Sequence, residues 1–417
     1  MTLLVQKFGG TSLGSLERIQ NVAKKIVHAK AAGHHVVVVV SAMSGETDRL
    51  ISMAQELSTE PSPREYDMLV ATGEQVSMSL LAIALEQLNC PARSYTGPQA
   101  GIVTDTVHTK ARILDVKTDI LRRDLENGFV VIVAGFQGAT KQGDITTLGR
   151  GGSDTTAVAI AAALQADECQ IYTDVDGVYT TDPRVVPEAR LIPLISFEEM
   201  LEMASLGAKV LQMRSVELAS KHNMPIRVLS TFTDGGGTLV TFEEQIMQKR
   251  LVSGLAFSRE EAIIALSGIP NRAGIEGEIL TLVSKANIEI DMIAQNATNP
   301  IHTDFTFTVQ RKDYPKALKL MQELASTLGD DATVKSNAKV AKLSLVGLGM
   351  RSHTGVASTM FRALGDININ IQMITTSEIK ISVIIDEDYL DRGVKAVHEA
   401  FELDKISSEK QHAFMEL

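Results

Sequence analysis

The stretch HHVVVVVSA, residues 34–42, decides the fold. Five consecutive valines leave no polar face, so a strand built from them must be covered on both sides. Such strands lie inside mainly parallel sheets, whose helical crossovers cover both faces. The flanking sequence agrees. TLLVQKF (2–8) and a glycine turn lead into the helix-like LERIQNVAKKIVHAKAAG (16–33). GFVVIVAGF (128–136) repeats the buried-strand pattern, and CQIYTDV (169–175) and MPIRVLS (224–230) follow. Each run ends in small or polar residues and leads toward a helical segment, which is the pattern of an α/β domain. Ligands of these sheets bind at the carboxyl ends of strands. Nearly every glycine-rich polar cluster of this half lies at such an end.

The pattern changes after GGGTLVTF (235–242), where the polar EEQIMQKR reads as the start of a linker. An internal repeat follows. ALSGIPNRAGIEGEILTLVSKANIEIDMI starts at Ala265 and SLVGLGMRSHTGVASTMFRALGDININIQMI at Ser344, with NIEIDMI matching NINIQMI. Each copy continues into another strand, DFTFTVQ or KISVIID, and a final helix. The reading is one βαββαβ module present twice. The expected organisation is an α/β domain over 1–246, a linker over 247–262, and two α+β modules over 263–338 and 339–417.

Bulk composition narrows the function. At 417 residues the chain is too long for one domain of about 150 residues. Hydrophobic residues make up 44%, enough for packed cores. Net charge is −11 and aromatic residues are 4% with no Trp, which argues against a nucleic-acid partner that needs a basic, stacking surface. Two cysteines, Cys90 and Cys169, make no disulfide framework and read as buried thiols. The N-terminus has no basic leader or signal-length apolar core, and the valine run is far shorter than the ~20 residues of a membrane span. The expectation is a cytoplasmic protein with no membrane partner.

Five clusters carry chemistry, one of them SAMSGETDRL (41–50), where Thr47 follows the valine strand. TTLGRGGSDTTAVAIAAAL (146–164) places glycines, Arg150, Ser153 and Asp154 ahead of an alanine-rich helix. Its glycines let backbone N–H groups approach an anion at a helix N-terminus, with Ser153 as a cap for a helix starting near Thr155. A tight turn with a capped helix is the other reading of those residues. KFGGTS (7–12) reads either as Lys7 aimed at the same kind of anion beside Gly9 and Gly10 or as a surface lysine next to a glycine turn. TDVDGVYTTDPR (173–184) reads either as an acidic turn between strand and helix or as a nucleotide pocket with a metal nearby, since it offers Asp174, Asp176 and Asp182 beside Tyr179 and Arg184. ATGE (71–74) offers Glu74 to an ammonium or to a helix N-terminus. The chain has no GxxxxGK[ST], only a partial GxGxxG, and neither HExxH nor a CxxC pair. Walker-A, dinucleotide-binding and zinc chemistry are therefore not indicated.

Together KFGGTS, VVVVVSAMSGETDRL, ATGEQVS, GFQG, TLGRGGSDTTA, YTDVDGVYTTDPR and GAKVL resemble the aspartokinase family in content and order. The tail resembles that family's paired ACT modules. The resemblance implies an amino-acid-kinase fold and transfer of the ATP γ-phosphoryl group to the side-chain carboxylate of L-aspartate, with Mg²⁺. It implies that Lys7 stabilises the transferring phosphoryl group and that Asp154 orients Lys7. Gly9 and Gly10 would admit phosphates. Arg150, Ser153, Glu74 and Thr47 would hold aspartate, with Glu74 on its ammonium. Thr173, Asp174, Tyr179, Arg184 and Lys209 would line the nucleotide.

In the tail it implies sites for lysine, threonine or both, and a homo-oligomer joined through the ACT half. The first site would use Asn271, Gly274, Asp291, Met292 and Gln295. The second would use Gly355, Val356, Asn370, Ile371, Thr376, Ser377 and Glu378. One departure stands out. Many relatives have an acidic residue and a proline in the first turn, where this chain has NRAG (271–274). An effector ammonium loses a carboxylate partner there, so the resemblance does not carry over the effector's identity. Some relatives make the tail as a separate subunit, and Met247 stands where an internal start would do so. A sensor with an inactive kinase half, or a kinase for another acidic amino acid, are the competing readings.

Overall fold

The valine run occupies the place its composition demands, between two other parallel strands. The structure is a computed structural model describing residues 2–207, 210–246, 251–297, 300–329 and 331–405. In chain order it begins β1 (Leu3–Phe8), α1 (Leu16–Ala31), β2 (His35–Val40), α2 (Glu46–Leu57), α3 (Pro63–Val70), α4 (Thr72–Gln87) and β3 (Ala92–Tyr95). It continues β4 (Ile102–Thr104), β5 (Ile113–Val116), α5 (Asp119–Glu126), β6 (Val130–Ala134), β7 (Gln137–Ala139) and β8 (Ile145–Thr147). Then follow α6 (Gly152–Leu164), β9 (Glu168–Thr173), β10 (Leu194–Ser196), α7 (Phe197–Ser205), α8 (Met213–Lys221), β11 (Ile226–Ser230) and β12 (Thr238–Thr241).

Contacts divide the chain into two units. The first comprises Met1–Val178, Leu191–Ser205 and Lys209–Met247. Its main sheet has the order β10-β12-β11-β9-β1-β2-β6-β3, parallel except between β11 and β12. A small sheet, β5-β4-β7-β8, is separate. Val36, Val38 and Val40 of β2 pack with Val22 and Ile26 of α1 and Leu81 and Leu85 of α4. Fully burying one such side chain contributes about 2 kcal/mol. By length and composition Pro63–Gln87 could cross a membrane. Glu74, Ser77, Leu81 and Leu85 of that stretch are buried in this unit, so α4 packs one face into its core. Parallel order puts the ends of β1, β2, β6 and β9 along one edge, which is where the polar clusters lie.

The second unit contains β13 (Gly254–Pro270), α9 (Ile275–Lys285), β14 (Ile290–Ala297), β15 (His302–Gln310), α10 (Tyr314–Leu328) and β16 (Thr333–Val346). It ends with α11 (Val356–Asp366), β17 (Met373–Thr376), β18 (Lys380–Asp386) and α12 (Leu390–Ala400). All neighbours in its sheet, β14-β15-β13-β16-β18-β17, are antiparallel. Two α+β modules are present, but their boundaries differ from those expected. Residues Gly254–Ser258, read as linker, form the first half of β13 and pair with Lys342–Val346. That half-strand is the fourth strand of the second module, and the other half of β13 serves the first module beside β15. The polar SREE that follows GLAF disguised the strand, which bulges there.

A second departure concerns Tyr179–Arg190, which clusters with the second unit although both flanks belong to the first. Its Val186 and Ala189 lie in a core with Leu343, Val383 and Leu403, and Tyr179 packs against that core. Thr180 anchors it. The Thr180 carbonyl accepts from the Leu255 N–H at 2.7 Å. Its hydroxyl accepts from the Arg190 N–H at 3.0 Å and lies 3.0 Å from Nε2 of buried His398. Burial holds the His398 pKa below its usual value, which favours neutral imidazole as the hydroxyl's acceptor.

Candidate active site

Lys7 is the penultimate residue of β1, and its ammonium lies 2.6 Å from a carboxylate oxygen of Asp154. Both side chains are about nine-tenths buried, so this pair is screened little by water. Asp154 sits in the first turn of α6, whose partial positive charge also favours an anion. Two glycines bring the helix there. Gly149 (φ +77°) and Gly151 (φ +71°) take left-handed conformations that cost a side-chain-bearing residue. At Gly151 a Cβ would also strike the Gln212 side chain at 2.2 Å. The helix starts at Gly152 with Gly151 in the cap position and no side-chain cap. Ser153 is therefore inside the first turn rather than the expected cap of a helix starting near Thr155. The glycines can turn the chain earlier than a side-chain cap would, and the Gly152 N–H donates to the Gly149 carbonyl at 3.0 Å, which leaves the N–H groups of the next residues for an anion.

The opposite wall comes from β2 and α4. A Cβ on Gly10 would stand 3.0 Å from the Ala42 carbonyl, and one on Gly73 would stand 2.9 Å from the Ala42 side chain. These glycines let the β1 turn and the start of α4 abut the loop after β2. Glu74 is delivered there almost fully buried. One of its oxygens accepts from the Ala42 N–H at 3.1 Å, and the other has no hydrogen-bond partner among the described residues. Burial raises its pKa to about 7.

These groups border one open cleft of about 1050 Å³. The structure brings together Lys7, Gly10, Thr47, Glu74, Arg150, Ser153 and Asp154 from the sequence reading. Arg150 is exposed to the cleft, with a guanidinium fork suited to a carboxylate. Gly9 is in the turn after β1, where its N–H donates to the Tyr172 carbonyl at 3.2 Å and ties the ends of β1 and β9. Thr173 and Asp174 stand at the end of β9, linked by a 3.1 Å hydrogen bond, and do not border this cleft. Tyr179 and Arg184, expected at the nucleotide, fall in the stretch that clusters with the second unit, and Arg184 pairs with Asp182 at 2.7 Å. Lys209 and Met247 lie outside the described residues. Sequence reasoning missed Gln212, Met213 and Arg214, which border the cleft at the start of α8. Arg214 donates to the Leu148 carbonyl at 2.9 Å. Its place just after GAKVL was the available signal.

The second unit holds a cavity of about 420 Å³ bordered by Gly355, Val356, Thr376, Ser377 and Glu378. Arg351 also borders it and pairs with Glu378 at 3.3 Å. Gly355 (φ +96°) caps α11 from the left-handed region. Asn370 and Ile371 precede β17 and do not border the cavity. In the first module Gly274 caps α9, and the Asn271 N–H donates to the Ile301 carbonyl at 2.7 Å. Asp291 pairs with the buried Lys342, and Met292 packs in a core with Val340 and Ile384. Gln295 donates to Glu276 at 2.6 Å.

The amino acid kinase family model matches residues 2–230, and the ACT domain model matches 264–324 and 343–401. The aspartokinase of Pseudomonas aeruginosa is 58% identical over 406 residues, covering 97% of this chain and 98% of that one. Aspartokinase 2 of Bacillus subtilis is 48% identical, covering 98% of this chain and 100% of its own. Among solved structures, aspartokinase III of E. coli in complex with aspartate and ADP (R-state) matches with a TM-score of 0.75 and 27% identity, over 95% of this chain and 99% of that one. The same enzyme in complex with lysine and aspartate (T-state) matches with a TM-score of 0.74 and 26% identity, over 96% and 99%.

Proposed function

Since the chain belongs to the aspartokinases, amino acid kinases with C-terminal ACT domains, we propose that its cleft joins ATP to L-aspartate by the residues that follow. The reaction is transfer of the γ-phosphoryl group of ATP to the side-chain carboxylate of aspartate. A carboxylate oxygen bonds to the γ-phosphorus, the bond to the β,γ-bridging oxygen breaks, and ADP leaves. The acceptor is already ionised at neutral pH, so no base is required. What the protein supplies is position and charge.

Lys7 neutralises charge on the transferring group, and Asp154 holds its ammonium in place. The Lys7–Asp154 contact in the cleft is the observation that carries this reading. The N-terminus of α6 adds a backbone donor through Ser153. Glu74 takes the substrate ammonium with its unpartnered oxygen, Arg150 takes a carboxylate, and Thr47 closes the pocket. Gly9, Gly10, Thr173 and Asp174 serve the nucleotide. Mg²⁺ enters with ATP, whose phosphates supply oxygen ligands. In the second unit, the cavity beside Gly355 and Glu378 receives a feedback effector, lysine or threonine, and the assembly is a homo-oligomer.

Arg150→Lys is expected to raise the KM for aspartate about tenfold or more, because a point charge cannot make the bidentate contact. Steady-state kinetics with ATP held saturating would measure it, and an unchanged KM would remove Arg150 from the substrate. The whole reading is tested by trapping the acyl phosphate with hydroxylamine in the presence of ATP, Mg²⁺ and aspartate. Repeating the assay with lysine, threonine or both identifies the effector. No aspartate-dependent hydroxamate would overturn the proposal.

A further inference from the structure

We infer that Asp67 is a positioning residue for the acidic substrate, fixing the wall of the cleft from which Arg150 is presented; this rests on reading that cleft as the aspartate site. Asp67 lies on α3 and has no exposed surface. Its carboxyl oxygens accept hydrogen bonds, and four donors converge on them. The Thr109 N–H lies 2.9 Å and 3.1 Å from its two oxygens. The Thr147 N–H donates at 3.1 Å and the Thr147 hydroxyl at 2.6 Å. Nδ1 of His108 is 2.9 Å away and serves as the fourth donor. One buried carboxyl group thus joins α3, the loop at 108–109 and the end of β8. Tyr66, Val70, Thr109 and Thr147, from these same three segments, border the cleft.

The arrangement stores strain. Thr109 has φ +67°, a left-handed conformation that a β-branched residue avoids. Such a conformation persists only where its surroundings over-determine it. Both Asp67 oxygens hold its N–H. From Thr109 the constraint passes to Arg150. A Cβ placed on Gly149 would come within 3.2 Å of the Thr109 carbonyl, so the two backbones nearly touch. The Ala111 N–H also donates to the Thr147 carbonyl at 2.9 Å. The Gly149–Arg150 turn therefore leans on the loop that Asp67 pins. A guanidinium fork is sensitive to such support, since a displacement of about 1 Å can cost roughly a hundredfold in rate.

Asp67→Asn keeps the shape but turns an amide NH2 toward a set of donors. It is expected to raise the KM for aspartate about twentyfold, with the KM for ATP changing less than about twofold. Thr147→Val removes one donor and should raise the aspartate KM about threefold to fivefold. The decisive comparison adds Arg150→Ala. If Asp67 acts through Arg150, the double variant is no worse than Arg150→Ala alone. Effects that add in full, parallel rises in both KM values, or a wild-type aspartate KM in folded Asp67→Asn would each overturn the inference. Should Asp67→Asn not fold, an unchanged aspartate KM in Thr147→Val does so. Wild-type enzyme assayed alongside separates these outcomes from failure of the aspartate reading itself, which would show as no aspartate-dependent turnover at all.

Discussion

Lys7→Ala is expected to lower kcat by about three orders of magnitude while leaving aspartate binding largely in place. The expectation comes from where the ammonium sits. It is nearly buried, 2.6 Å from Asp154, at the end of the strand beside the glycine turn. A positive charge fixed there needs no reorganisation when charge develops on the transferring group, and low local polarity makes it count for more than in water. Alanine removes that charge and also leaves the Asp154 carboxylate uncompensated, facing the phosphates. The loss thus combines a missing stabiliser with a new repulsion. Aspartate itself is held by other groups, so its affinity measured by calorimetry without nucleotide should change little. A near-wild-type kcat would remove Lys7 from the chemistry.

The second large effect concerns Glu74 and pH. Its pKa is raised by burial to about 7, so below pH 7 the free enzyme holds it increasingly as the neutral acid. The substrate ammonium needs the carboxylate. Aspartate binding must therefore drive off a proton at lower pH, and the KM for aspartate rises as pH falls, approaching about tenfold per unit well below 7. Glu74→Gln should raise the KM by roughly a hundredfold at pH 8 and flatten this dependence. The same shift has a stability side. A folded pKa above the unfolded value of 4.5 means stability is full below pH 4.5 and is lost as pH rises through about 7. The cost above that window is about 3 kcal/mol. Glu74→Gln should then raise the melting temperature at pH 8 and change it little at pH 4. An aspartate KM that is flat between pH 5.5 and 8 in the wild type would count against the assignment.

Much of this was legible in the sequence because local pattern and chemistry coincide there. The valines of β2 read as a covered strand, and the glycines around Arg150 left a close approach to an anion and a tight turn as the two readings, between which the other clusters decided. Lys7, Glu74, Arg150 and Asp154 converge because parallel strands end on one edge, which follows from the strand pattern alone. Partnerships made over long distances were not legible. Asp67 looks like any helix residue in PREYDMLV, and its role depends on residues 42 and 80 positions away. The strand at Gly254–Ser258 is short and followed by charges, and its partner lies near Val346. Tyr179 and Arg184 share one motif with Asp174 and were read with it. Nothing in local sequence marks the point at Tyr179 where the chain leaves the first unit.

That departure has a consequence for how the molecule can be divided. The twelve residues of Tyr179–Arg190 are encoded inside the kinase half, yet two of them, Val186 and Ala189, are buried in a core of the second unit. The polypeptide is laced rather than jointed. A break in the backbone near residue 247 would leave the tail still gripping a strip of the other half through Thr180, Val186 and Ala189. A tail synthesised alone would instead carry an apolar slot where Val186 and Ala189 belong, with the His398 imidazole lacking its hydroxyl. Two units are distinct in this chain, but no single cut of the backbone separates them.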